Sequence, residues 1–522
     1  MFVIQAFRIF TQRFNMWLRK NLAKQVDGSS LGVFRILWGL LMVWESIRKL
    51  PKADGMYSPE YFHFKYEFFY FIKPLPEVWM MQAEISLMLI AAILITVGYF
   101  FRPACAVFLM IFTHLFLIEK IYYNNHFYLT ILMSFLLMLS QADRCYRLPL
   151  PWKKKKVETP RSQTIPMWNL AILRSQIIVL YFFGGVAKLN SDWLAGEPVR
   201  FWFSMKDPDH LLSFFLGQEW FVWVVCWSGL ILDLFAGFAL LSKRTRVFTM
   251  VVLVFFHLTN AMLFQIGLFP LIGIGLLILF VEPDRPRKVF HWLHKKLGLF
   301  TSNVKASTDN ARTSDGYLNW GVTAFVCGWI AVQIVIPLRI HKYQQNPGWT
   351  EVGQCFSWRM MLRTKDAFIH LKFDPPEAER YLEEHPEVLP RISKAHLTRM
   401  AKNPLFVMQY THALSEALES NGIEDVKISC VSIASLNGRP YQFLINPETD
   451  LTKVSYEVLG VPDWIVPLDK HRRPGQYPKS PAERKEVIAS VFKEYVLENS
   501  PVPIKKAPVK YAATIEYSGS VQ

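Results

Sequence analysis

Cysteine is scarce in this chain and scattered. The six residues, Cys105, Cys145, Cys226, Cys327, Cys355 and Cys430, form no Cys-x-x-Cys pair and no metal-ligand spacing, which argues against a zinc site, a dithiol redox centre or haem attachment. There is also no glycine-rich phosphate loop, no Ser-His-Asp arrangement, no internal repeat and no low-complexity run. Met1 to Lys24 lacks the compact apolar core and small-residue cleavage site of a removable signal peptide, because Arg8, Arg13, Arg19 and Lys20 are spread among Phe and Trp. That segment reads instead as an amphipathic helix lying on a membrane surface. No Asn-X-Ser/Thr sequon has a permitted middle residue, which favours a bacterial chain over a secretory-pathway one.

What the chain has in quantity is hydrophobic residues, 52% of the total, with 41 Phe, 20 Tyr and 17 Trp. Judged against the ~20 apolar residues a bilayer requires, about nine stretches qualify as spans. They lie near Leu31 to Trp44, Val78 to Phe100, Ala104 to Ile118, Phe127 to Ser140, Met167 to Ala187, Trp220 to Leu241, Val247 to Phe264, Ile266 to Val281 and Trp320 to Pro337. With the N-terminus inside, the cytoplasmic loops carry about 23 Lys and Arg against about 9 outside, leaving the long C-terminal domain out of the count, the asymmetry that fixes orientation. An odd number of spans then places the C-terminal domain outside the cytoplasm. The net charge of +16 sits largely in those loops and in the first helix, so attraction to anionic lipid accounts for it and nucleic acid is not an expected partner.

After the last span, Val426 to Ile433 alternates apolar and polar residues, Asn437-Gly438 supplies a turn and Tyr441 to Ile445 resumes an extended pattern, the signature of a β-hairpin. Helices are expected at Pro375 to Glu384, Pro404 to Ser420 and Pro481 to Glu498. The expected architecture is a multi-pass α-helical membrane protein of about nine spans with a C-terminal extracytoplasmic α+β domain. Its parts are an amphipathic cytoplasmic N-terminal helix (1–30), a transmembrane bundle (31–340), the soluble domain (341–500) and a flexible tail (501–522). Cys355 and Cys430 would face an oxidising compartment, where a disulfide between them is open but unsupported by spacing.

Lys188 is the most informative residue. It closes the apolar stretch from Tyr181, where an amine either snorkels to water or sits in a low-dielectric pocket as an uncharged base. Asn124-Asn125-His126 precedes the fourth span and is either a helix cap or a functional trio. His257 and Asn260 share one helical face inside a span, as an interhelical hydrogen bond or as part of a catalytic cavity. Arg174 and Asp233, also intramembrane, are expected to pair structurally with each other or with backbone. Ser357-Trp358-Arg359-Met360-Met361 is either packing beneath the soluble domain or the roof of a pocket for a flat apolar ligand.

Several stretches in a fixed order resemble one family: Asn124-Asn125-His126-Phe-Tyr-Leu129, Met167 to Ile177, Gly185-Val-Ala-Lys188-Leu-Asn-Ser-Asp-Trp193, His257 to Phe269, Pro283-Asp-Arg-Pro-Arg-Lys288 and Phe356 to Met361, with weaker matches at Asn446 to Asp450 and Trp464 to Pro467. Together they are similar to the vitamin K-dependent gamma-glutamyl carboxylases, from Val33 to about Pro467.

The resemblance implies an enzyme. In that family a lysine matching Lys188 deprotonates vitamin K hydroquinone, the anion reacts with dioxygen, and the strongly basic alkoxide formed removes a γ-proton from glutamate. The carbanion takes up carbon dioxide and the vitamin leaves as its epoxide. The resemblance further implies catalytic roles for His126 and Asn125, a supporting one for His257, vitamin contacts from Trp358, Met360 and Met361, and substrate contacts from Ser357 and Arg359. It implies vitamin K hydroquinone as cofactor, with O2 and CO2 as co-substrates and no metal. The expected partners are a glutamate-containing peptide or protein and membrane lipid, and the expected state is a monomer in a bacterial inner membrane with the site toward the periplasm. Animal members carry two successive lysines where this chain has Ala187-Lys188, and continue into a further extracytoplasmic domain, so a shorter bacterial-type member is expected. Alternatives of other classes are a quinol epoxidase or oxidase without carboxylation, and a non-catalytic transporter or scaffold.

Overall fold

The computed structural model describes residues 2–148, 163–204, 213–264, 266–296, 316–458, 460–476 and 481–499. The expected tail, 501–522, and the Lys153 to Lys156 run lie outside them. Helix α1 (Phe2–Ala23) leads through strand β1 (Gln25–Asp27) into α2 (Ser29–Lys49), followed by α3 (Val78–Val97), α4 (Phe101–Ile118) and α5 (Asn125–Leu139). Strand β2 (Thr164–Pro166) pairs antiparallel with β1 and opens into α6 (Trp168–Lys188), α7 (Glu219–Ala239), α8 (Arg246–Leu263), α9 (Phe269–Leu276) and α10 (Trp320–Leu338).

All nine expected spans are apolar helices, and seven are long and apolar enough to cross a bilayer, making this a multi-pass membrane protein. The other two, Asn125–Leu139 and Phe269–Phe280, are shorter. For the second the cause is geometric. The Phe269 ring lies 5.9 Å from that of His257, nearly two turns before the outer end of α8, so the returning helix starts already inside the bundle.

Helix α8 shows how the chain sorts its faces. Thr249, Leu253 and His257, at four-residue spacing, are buried, while Val247, Phe248, Val251, Phe255 and Leu258 are exposed. Polar groups turn inward and large apolar ones outward, as a lipid solvent demands. Glycine permits the closest crossing: a Cβ on Gly185 would lie 2.6 Å from the Leu234 backbone nitrogen, and one on Gly237 2.9 Å from Ile178 Cα, so α6 and α7 meet backbone to backbone. Arg35 is wholly buried at the end of the bundle opposite Lys188. It donates to the carbonyls of Ile95 (2.7 Å), Ala142 (3.2 Å) and Tyr146 (2.9 Å), joining the ends of three helices.

The C-terminal unit carries a three-stranded antiparallel sheet, ordered β3 (Lys365–Asp374), β4 (Lys427–Leu436), β5 (Gln442–Ile445), with Lys365 opposite Leu436 and Asp374 opposite Lys427. Around it stand α11 (Glu377–Glu384), α12 (Lys394–Ala401), α13 (Pro404–Ser420) and α14 (Pro481–Asn499). The hairpin turning at Asn437-Gly438 and three of these helices match expectation. Strand β3 and helix α12 were not foreseen. Its core of Trp349, Ile369, Leu405, Leu414, Ile428 and Leu444 also takes in Phe64 and Ile121 from two loops of the bundle, so bundle and sheet share an apolar core. Cys355 and Cys430 are free thiols, not a disulfide.

Candidate active site

The Lys188 amine neither snorkels to water nor sits alone in an apolar pocket. Its Nζ donates to Asp233 Oδ2 at 2.5 Å and to the Gly184 carbonyl at 3.4 Å, and lies 5.2 Å from the centre of the Trp193 ring. Both side chains of the pair are less than a tenth exposed. Of the two partners expected for Arg174 and Asp233, each other or backbone, the mutual pairing does not occur. Arg174 does pair with backbone, its Nε donating to the Leu279 carbonyl at 2.7 Å, whereas Asp233 serves Lys188. The close α6–α7 crossing at Gly185 is what lets a carboxylate on one helix reach an amine on the other. Periodicity within each helix carried no sign of that crossing.

His257 accepts or donates at Nε2 with the Tyr181 hydroxyl, 2.8 Å away, and its Nδ1 is buried without a partner. Tyr181 lies two turns before Lys188 on α6. Phe269 connects this group to His126, its ring 5.9 Å from His257 and 6.2 Å from His126. Asn260, expected beside His257, carries no hydrogen bond from its side chain among the described residues.

The Asn124–His126 trio is not a side-chain cap. Asn124 holds the N-cap position, but its amide donates to the Tyr122 carbonyl. Asn125 instead ties the fourth span to the loop after the last one: it accepts from Tyr123 Oη at 3.0 Å and donates to the Arg359 carbonyl at 3.1 Å, while Tyr123 Oη accepts from the Phe356 backbone at 2.7 Å. Tyr123 is the unforeseen member here, since an aromatic beside a span ordinarily signals only a membrane interface.

That loop is conformationally costly. Phe356 (φ 62°), Trp358 (φ 55°) and Met361 (φ 51°) all adopt the left-handed region, at ~1–3 kcal/mol each for residues bearing side chains. The cost places Trp358 fully buried, 5.0 Å from the Tyr128 ring, with its Nε1 lacking a partner. It also brings Met360 to Gly184, on the side of Asp233: a Cβ on Gly184 would lie 3.4 Å from Met360 Cε and 3.3 Å from Asp233 Oδ2. Met361 packs against the cluster that holds Ala187, Trp193, Trp202 and Phe264, on the Trp193 side of the lysine. Ser357 Oγ donates to the Gly353 carbonyl at 2.7 Å, within its own turn. Arg359 donates to Gln354 Oε1 at 3.2 Å and lines a polar pocket with Asn190, Asp192, Arg363 and Asn437. Burial, then the neighbouring Arg363 charge, lowers the Arg359 guanidinium to about 10.

A contact missed from sequence joins this site to the sheet. Arg439, one residue past the hairpin turn, donates to both oxygens of Asp192 at 2.7 and 2.6 Å, and Asn437 Nδ2 adds a third bond at 2.7 Å. Although burial opposes it, the hydrogen bonds of Arg439 and Asn437 and the Arg439 charge hold the Asp192 carboxyl below its ordinary value. Asp192 precedes Trp193, whose ring covers Lys188, so the hairpin pins the lid of the amine.

The arrangement offers chemistry of one kind: an amine–carboxylate pair able to take a proton, beside aromatic and thioether walls and two imidazoles, under a loop that adds a cationic pocket. Two family models match the chain. One, described as HTTM domain, covers residues 23–285; the other, described as vitamin K-dependent gamma-carboxylase, lumenal domain, covers residues 319–471. No solved structure matches it.

Proposed function

Since the chain belongs to the vitamin K-dependent gamma-glutamyl carboxylase family, we propose that it oxygenates vitamin K hydroquinone to the epoxide and couples this to carboxylation of peptide glutamate. One observation carries the reading. The lysine that the family resemblance marks as the initiating base, Lys188, is withdrawn from water and held at a fixed point by Asp233.

The residues present suit the reduced vitamin, a flat apolar ring with two hydroxyl groups. Aromatic and thioether side chains supply the walls, and two buried nitrogens without partners, His257 Nδ1 and Trp358 Nε1, supply the kind of polar atom a ring oxygen would satisfy. Trp358 and Met360 would hold it, with Phe269 alongside and Met361 on the Trp193 side. When bound, the vitamin supplies, through its reaction with dioxygen, the strong base that takes the glutamate γ-proton. The protein's own tasks are narrower. Lys188 Nζ receives the first proton, His126 with Asn125 positions oxygen by hydrogen bonding, and the surrounding side chains exclude the water that would quench a carbanion.

Substrate glutamate would approach from the sheet side, where Arg359 offers a cation to a carboxylate. Ser357, its hydroxyl already engaged, would contribute shape rather than a bond. The C-terminal unit then lies outside the cytoplasm, consistent with the loop charges, in the inner membrane of a bacterial cell. The decisive assay incubates purified protein with vitamin K hydroquinone, dioxygen, labelled carbon dioxide and a glutamate peptide, following epoxide and label separately. Both products together support the proposal. Epoxide without label selects a quinol epoxidase, and neither product overturns it.

A further inference from the structure

Buried cations of the bundle are matched in different ways. Arg35 and Arg174 use backbone carbonyls, which cannot take a proton in the working range. Lys49 binds Tyr57 Oη at 2.9 Å, with Glu45 at 3.8 Å and the Phe127 ring at 4.4 Å. Lys188 alone among these four has a carboxylate at hydrogen-bond distance, and Asp233 makes no hydrogen bond to any other group among the described residues. A carboxylate in an apolar bundle is expensive to keep, and costs least when it carries a task or a matched cation. Tyr181, two turns before Lys188 on the same helix, bonds His257 Nε2 rather than the pair.

We propose that Asp233 is the positioning partner of Lys188: the two groups hold one proton between Nζ and Oδ2 at rest, and the pair, rather than an isolated neutral amine, takes the hydroxyl proton of the bound ring. The role of proton acceptor rests on the proposed function; the shared proton does not. In the step, the pair gains one proton at the expense of an O–H bond, whose electrons stay on oxygen. The pair passes from net neutral to net cationic as the oxygen becomes anionic, so the low-dielectric interior carries no added net charge and no oxidant is consumed.

The test needs no ligand. The apo protein in detergent is treated at neutral pH with a small membrane-permeant acylating reagent, and modification of Lys188 is timed by mass spectrometry. Only an uncharged amine reacts. Asp233→Asn removes the proton-sharing partner and keeps the shape, so acylation of Lys188 is expected to accelerate at least tenfold, while Asp233→Glu restores the slow rate of the parent. An unchanged rate in Asp233→Asn overturns the proposal, as does fast acylation in the parent. Should Asp233→Asn fail to fold, Lys188→Met replaces it. With its cation gone, Asp233 is expected to show the infrared carbonyl band of a protonated carboxyl group, lost again in Lys188→Met/Asp233→Asn; absence of the band overturns the proposal. Because these readouts ignore turnover, slow labelling of a parent protein that forms no epoxide would remove the proposed function and leave the shared proton standing.

Discussion

Replacing Arg439 with Leu tests whether the sheet holds the lysine's lid. Asp192 and Arg439 are 5% and 8% exposed at their side chains, and the guanidinium supplies two of the three short bonds to the carboxylate. Removing one partner of a buried pair leaves an uncompensated charge, at ~3–5 kcal/mol. At ~1.4 kcal/mol per tenfold, the hairpin should detach about two to three and a half orders of magnitude more often. Hydrogen exchange of the backbone amides in β4 and β5, compared with those of α2, reads this directly; the guanidinium's bonds to the Arg472 and Leu436 carbonyls are lost with it. Asp192→Asn combined with Arg439→Leu should recover most of the protection, because no charge is then stranded. Less than a tenfold change in the single variant, or a double variant as unprotected as the single, would refute the reasoning.

Lys188→Ala should abolish epoxide formation in a protein that still folds, with a lowered melting temperature because Asp233 loses its cation, and with partial recovery on adding a small amine; full activity in that variant would end the proposed mechanism. Tyr181→Phe strands both nitrogens of His257 and should cost ~1–3 kcal/mol in thermal unfolding, a loss checked against Tyr128→Phe. Burial, with the charges of His63 and Arg399, lowers His396 from the usual imidazole value to about 4. Between that value and ~6.5 the unfolded chain binds the proton and the native one does not, so the C-terminal unit should lose stability as pH falls through that window. Circular dichroism melts at pH 7 and pH 5 test this, and a flat profile would count against it. A cysteine at the exposed position Glu424 should react with an impermeant maleimide only from the non-cytoplasmic face.

The helical spans were legible because each is a local property: a run of apolar residues long enough for a bilayer, bounded by charge. The hairpin was equally local, its Asn437-Gly438 turn set between two alternating segments. Strand β3 was not, since Lys365, Asp366, His370 and Lys372 dilute its alternation, and it becomes a strand by pairing along its length with β4. The same division runs through the site. Lys188, His126 and His257 stood out as polar residues in apolar surroundings, and the family resemblance singled out Asn125. Their partners did not stand out. Asp233 lies 45 residues from Lys188, Arg439 lies 247 from Asp192, and Tyr123 and Tyr181 look like ordinary interface or core aromatics until the helices are assembled. The proposed proton chemistry depends on pairs across elements, which no single stretch records.

The short ribbon of β1 and β2 has a consequence for biogenesis. Gln25 faces Pro166 and Asp27 faces Thr164, so the segment that anchors the first helix has no mate until residue 166 has been synthesised. A ribosome delivering this protein vectorially must therefore insert α2 through α5 with their leading edge unlatched. Closure of the ribbon then fixes the start of α6 beside the start of α2.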